Sequence, residues 1–237
     1  MMKTPVWVMC ILLGLASYVA CILAQGFPLW STGQPFLWFP QDTGSIVELF
    51  AFMTGVVAVY LVTKEHLWNW PIGIVNVALY GYFFFFVATH YANAWLQVVW
   101  LFYLVEGWYR WLKGGENQTA LKLSRIEKRH VVIAAGSVVL FTAVLTPILT
   151  AANGQLAFLD ALTAGISLAA QFLLNRKVLE SWILWIIVDI IYIPMYAIRG
   201  YHATMLLYAI FLILAIKGFF DWRKALARQE AETFATA

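Results

Sequence analysis

Eight apolar stretches of 18 to 21 residues dominate the chain, at 5–24, 45–63, 68–88, 92–112, 130–150, 158–175, 180–198 and 203–222. An α-helix needs about 20 apolar residues to cross a hydrocarbon core some 30 Å thick. Inside a bilayer every backbone N–H and C=O must be satisfied within the protein, so long apolar blocks of this kind become spanning helices. Shorter segments of alternating polarity, the mark of an outer-membrane barrel, are absent. Composition agrees. Of the 237 residues 63% are hydrophobic and 11% are charged. A soluble domain carries about 25% charged residues. The expectation is an all-α integral membrane protein.

Lysine and arginine set the direction of threading, because they accumulate on the cytoplasmic side. With the N-terminus inside, Lys3, Lys64, Arg110, Lys113, Lys122, Arg125, Lys128, Arg129, Arg176, Lys177, Lys217, Arg223, Lys224 and Arg228 all fall at cytoplasmic ends or loops. Only Arg199 falls outside. Both termini are therefore expected in the cytoplasm. The net charge of +3 is not a nucleic-acid signature, since the basic residues are spread over membrane-flanking loops. Cys10 and Cys21 share the first span and suggest neither a disulfide framework nor a zinc site. No cofactor or metal is expected.

The chain repeats itself. At an offset of 112, Lys64 falls on Arg176, Trp70 on Trp182 and Tyr80 on Tyr192. At 111, Gly107 falls on Gly218 and Trp111 on Trp222, the one-residue slip lying in the turn near Thr89–Tyr91. Each repeat holds three helices, and one helix separates them. Three plus one is even, so both repeats enter the membrane from the same side, as parallel repeats do. The expected layout is 3+1+3 behind one extra helix. It divides into 1–44 (extra helix and outer loop), 45–112 (first repeat), 113–157 (basic loop and linker helix), 158–224 (second repeat) and 225–237 (cytoplasmic tail). A passage between the repeats would carry a small polar solute.

Polar side chains within apolar spans are expensive and tend to face a bundle interior or a water-filled cavity. Trp182, Trp185, Asp189, Tyr192 and Tyr196 share one helix face. Gln171 and Asn175 share a face of the preceding helix, and Asn76 and Tyr80 a face in the first repeat, with Gln97 on the next helix. These ten residues are the candidate substrate-binding set. A flat cationic ring suits them: a cation over a Trp face gains about 0.5–2 kcal/mol, and amides can hold an amide or a sugar. Glu106 and Lys217 stand at equivalent positions and are read as independent end charges rather than as a pair. Glu48 and Asp160 are read as structural, each in a helix first turn. An enzyme is disfavoured, because His66, His90, His130 and His202 lie near span ends or in loops, with no nucleophile–base constellation.

The segment from Trp68 through Asn69, Trp70, Pro71, Gly73 and Asn76, with Glu180, Trp182, Trp185 and Asp189 in the second half, resembles the PnuC family of nicotinamide riboside transporters. The resemblance covers about 45–224. It implies a fold like that of the SWEET sugar transporters. It also implies inward facilitated diffusion of nicotinamide riboside across a bacterial inner membrane, trapping by a cytoplasmic riboside kinase, and a homo-oligomer, a trimer. On that resemblance the ring would stack near Trp182 and Trp185, the amides of Gln171, Asn76 and Gln97 would bind the carboxamide or ribose, and Asp189 would sit beside them. A thiamine or other riboside or sugar transporter on the same scaffold is the alternative.

Overall fold

A computed structural model describes residues 43–87, 91–152, 154–200 and 202–236. The expected first span, with Cys10 and Cys21, lies outside them. Seven α-helices follow: α1 (Thr43–Thr63), α2 (Asn69–Tyr82), α3 (Tyr91–Lys113), α4 (Lys128–Ala151), α5 (Ala157–Leu174), α6 (Ser181–Ile198) and α7 (His202–Thr236). The π-helical turn Phe83–Val87 extends α2. α4, α5, α6 and α7 are each long and apolar enough to cross a membrane.

The helix ends have local causes. Pro71 sits in the first turn of α2, where its missing N–H breaks no bond. α1 and α5 are followed by residues in the left-handed region, Glu65 at φ 52° and Lys177 at φ 51°. At the other end of α6 the left-handed position is Gly200, φ 76°, whose N–H caps Ala197. The segment expected as a tail after 224 is helical. α7 continues to Thr236, because 223–236 is rich in Ala, Glu, Gln, Arg and Lys, all strong helix formers, without Gly or Pro. Gln229 on this extension also grips the α3–α4 loop: its side-chain amide donates to the Leu123 C=O and accepts from the Leu123 N–H, at 3.0 and 3.2 Å.

Helices adjacent in sequence pack together within α1–α2–α3 and within α5–α6–α7. Two seams join these groups, α1 against α7 and α3 against α5. The six helices thus form a ring, and α4 packs outside it against α5. Each seam carries the same bond. Trp111 on α3 donates its indole N–H to the Leu174 C=O, and Trp222 on α7 donates to the Val62 C=O, at 3.2 and 3.1 Å. Trp70 meets Trp111 edge-on at 5.1 Å and Trp182 meets Trp222 edge-on at 5.4 Å, while Trp111 and Trp222 touch at 5.9 Å. These four wholly buried rings form the core at the end of the ring where the basic loops lie. Glycines make the close approach possible. A Cβ on Gly107 would overlap the Trp70 ring, and one on Gly218 would stand 2.6 Å from the Trp182 ring.

Candidate transport site

The expected site residues separate into four groups. The first is the tryptophan core just described. Trp182 is 1% exposed there, and Trp185 packs on its margin, half-buried.

The second group lies at the α3–α5 seam. Gln171 donates its amide N–H to Asn175 at 2.8 Å, and Asn175 donates to the Tyr103 C=O at 2.8 Å and to the Glu106 carboxylate at 2.5 Å. Glu106 is also paired with Arg110 and lies 3.8 Å from Arg176. Burial, and next the nearby Arg110, pull the Arg176 guanidinium below its usual range, while Glu106 opposes them. The corresponding cluster at the α1–α7 seam has the acid one turn away: Asp221 takes Lys64 at 2.9 Å and Lys217 at 2.5 Å. Glu106 and Lys217 therefore belong to separate clusters. Between the seams, Lys177 pairs with Glu65 at 2.9 Å and lies over the Trp111 ring.

In the third group, Asn76 binds the Ala51 C=O and the Thr54 hydroxyl of α1. The open face of Gly55 lets its amide approach, and Phe211 of α7 borders the same spot. Gln97 packs beneath Gly81.

The fourth group surrounds Asp189. Tyr192 and Tyr196 of α6 meet Tyr208 of α7 with ring centroids 4.5 and 5.2 Å apart, the second pair stacked within 7° of parallel. Tyr192 reaches the hydroxyls of Thr163 and Ser167 on α5. Tyr80 and Asp189 both act electrostatically on the Tyr208 hydroxyl, so the group spans both halves of the ring. Asp189 is 2% exposed and lies within electrostatic range of the Tyr192 and Tyr208 hydroxyls. A carboxylate buried within a span is costly unless a partner accompanies it. Farther out, Arg199 grips Asp160 through both guanidinium nitrogens, at 3.0 and 2.5 Å. This pair borders a cavity of 480 Å³ with Gly154 and Gln155.

Tyr208 was absent from the expected set although it joins Tyr192 and Tyr196. The signal was available: Tyr208 stands 111 residues after Gln97. The Asp160–Arg199 pair could be read only in part, since a helix-terminal acid and an isolated arginine do not announce their contact. Among the described residues no three His, Cys, Asp or Glu side chains gather as a metal site.

A family model described as "Nicotinamide mononucleotide transporter" matches residues 45–224. The chain belongs to this transporter family. It is a family of multi-pass membrane transporters, not of enzymes. The nicotinamide riboside transporter PnuC of Escherichia coli K12 is 27% identical over 204 residues, covering 75% of this chain and 85% of that protein. PnuC of Neisseria mucosa is 25% identical over 193 residues, covering 77% and 73%. The riboflavin/roseoflavin transporter RibM of Streptomyces davaonensis is 24% identical over 203 residues, covering 81% and 91%. The crystal structure of the vitamin B3 transporter PnuC has the same fold, with a TM-score of 0.66 at 21% identity over 94% of this chain and 92% of that one.

Proposed function

We propose that this family member carries nicotinamide riboside through the interior of the six-helix ring. The ring is read as two parallel three-helix units, 45–112 and 158–224, linked through 113–157, in the SWEET-like 3+1+3 manner. The matched indole bonds at the two seams support that reading, as does the Glu65–Lys177 pair, whose members stand 112 residues apart. The lysine and arginine distribution supports cytoplasmic termini in a bacterial inner membrane. A trimeric state, facilitated diffusion and trapping by a cytoplasmic riboside kinase rest on the family resemblance.

The observation that carries the site is Asp189, a carboxylate buried within its span and ringed by tyrosines. Nicotinamide riboside carries a positive charge on its pyridine ring. In the site this ring is the partner of Asp189, held against Tyr192 and Tyr196 with Tyr80 across the passage. Trp185 borders the same helix face one turn nearer the tryptophan core. Gln171, Asn175, Asn76 and Gln97 line the way for the carboxamide and ribose, and Trp182 joins when the tryptophan core parts. Riboflavin is the second reading, favoured by the similarity to RibM. Its uncharged ring system would leave Asp189 unpaired, and thiamine is the other alternative. Uptake of labelled nicotinamide riboside into proteoliposomes decides between them. The expected result is uptake to equal concentrations without an ion gradient, blocked by unlabelled riboside and not by riboflavin or thiamine. Stronger block by riboflavin would reverse the assignment.

A further inference from the structure

α4 is the one ring-external helix among those described. One side of it packs on α5, where Gly165 lies against Val138 and Phe141. The opposite side is bare. Val132, Gly136, Val139 and Ala143 line an apolar groove of about 670 Å³ there, and a Cβ on Gly136 would meet nothing within 4 Å. The groove runs from Val131 to Ala143, about 18 Å along the helix axis. That is close to the depth of one leaflet, half of the roughly 30 Å hydrocarbon core.

Charge at one end of the groove names the occupant. At 100° per residue, Lys128 and Arg129 flank the line of Val132, Gly136 and Ala143, one on each side, a single turn below Val132. Both are exposed, and neither forms an ion pair with a described residue. They stand in the first turn of α4, whose free N–H groups also favour an anion. We infer that this face of α4 binds one anionic phospholipid, with an acyl chain in the groove notched by Gly136 and the phosphate between Lys128 and Arg129. A second copy of the chain would cover the apolar stripe equally well, but it would gain nothing from two unpaired cations at the stripe's end. A zwitterionic lipid offers no net charge to them.

Native mass spectrometry of the full-length protein in detergent tests this, titrated with phosphatidylglycerol, phosphatidylcholine and glycerol phosphate. One phosphatidylglycerol should bind more tightly than phosphatidylcholine, and glycerol phosphate, lacking the chain, should not bind. Near a membrane surface each Lys or Arg contributes about a factor of five in affinity. The Lys128→Gln/Arg129→Gln variant should therefore bind phosphatidylglycerol roughly 25-fold more weakly. Gly136→Leu keeps both charges, fills the notch, and should lose the lipid as well. Both substitutions are at exposed positions, and thermal unfolding of each variant checks that it is folded. Equal binding of the two lipids, or unchanged phosphatidylglycerol binding in either folded variant, would overturn the inference. So would loss of an oligomer in Gly136→Leu with lipid binding intact, which would assign the face to a second copy.

Discussion

Replacing Trp222 by Phe removes the indole N–H that bonds the Val62 C=O across the α1–α7 seam. A net hydrogen bond contributes about 1 kcal/mol. The smaller ring also loses much of the edge-on contact with Trp182, at 5.4 Å, and such aromatic pairs contribute about 1 kcal/mol beyond burial. The space left by the missing part of the indole adds a void of the kind that makes core truncations expensive. The expected loss is about 2–3 kcal/mol, the void included. Trp111→Phe removes the matching bond, to Leu174, and the matching edge contact, to Trp70. It should cost the same within about 1 kcal/mol. Because Trp111 and Trp222 touch at 5.9 Å, the double variant should depart from additivity by about 0.5–1.5 kcal/mol. Denaturant unfolding in mixed micelles measures all three, with Trp68→Phe as control. Trp68 is 63% exposed, so its replacement should stay within about 0.5 kcal/mol of the parent. A large loss for one seam tryptophan and a control-sized loss for the other would refute the view that the seams are built alike.

Gly218→Ala should destabilise by about 1–2 kcal/mol despite its better helix propensity, because the new Cβ collides with the Trp182 ring. Gly136→Ala, which meets nothing, should be neutral or stabilise by up to about 1 kcal/mol in the same unfolding assay. Gln229→Ala removes both bonds to the Leu123 backbone, about 2 kcal/mol together. Hydrogen exchange at the Leu123 amide should then quicken roughly 30-fold, while amides in α5 and α6 stay unchanged. Glu65→Lys should lower thermal stability by placing two cations together. Adding Lys177→Glu should restore most of it, because the reversed pair occupies the same position.

Hydropathy and length located α1 to α6 to within two residues at all but one of their ends, because a hydrocarbon core imposes its thickness directly on the sequence. The exception is α2, which gives way to a π-turn after Tyr82. The same criterion ended the last span at 222, although α7 runs on to Thr236, its last three to four turns held by propensity and by Gln229 rather than by apolarity. Helical spacing put Trp182, Trp185, Asp189, Tyr192 and Tyr196 on one face of α6, and all five are buried or half-buried. It could not say which neighbour each would meet. Trp182 meets Trp222 and the bare face of Gly218, whereas Tyr192 and Tyr196, three to four turns on, meet Tyr208. Those partners come from α7, and spacing within one helix carries no information about its neighbour's rotation. The amide pair Gln171 and Asn175 was visible as a stripe, but its engagement with Glu106 depends on the α3–α5 seam.

Asp189→Asn keeps the shape of the side chain and removes its charge. Uptake by the variant and its parent should be compared for nicotinamide riboside and for the reduced riboside, whose dihydropyridine ring is neutral. The parent should strongly prefer the cationic form. In the variant, affinity for the cationic riboside should fall at least tenfold while the neutral form is unaffected. Equal uptake of the cationic riboside by both proteins would remove the carboxylate from the passage and contradict the account.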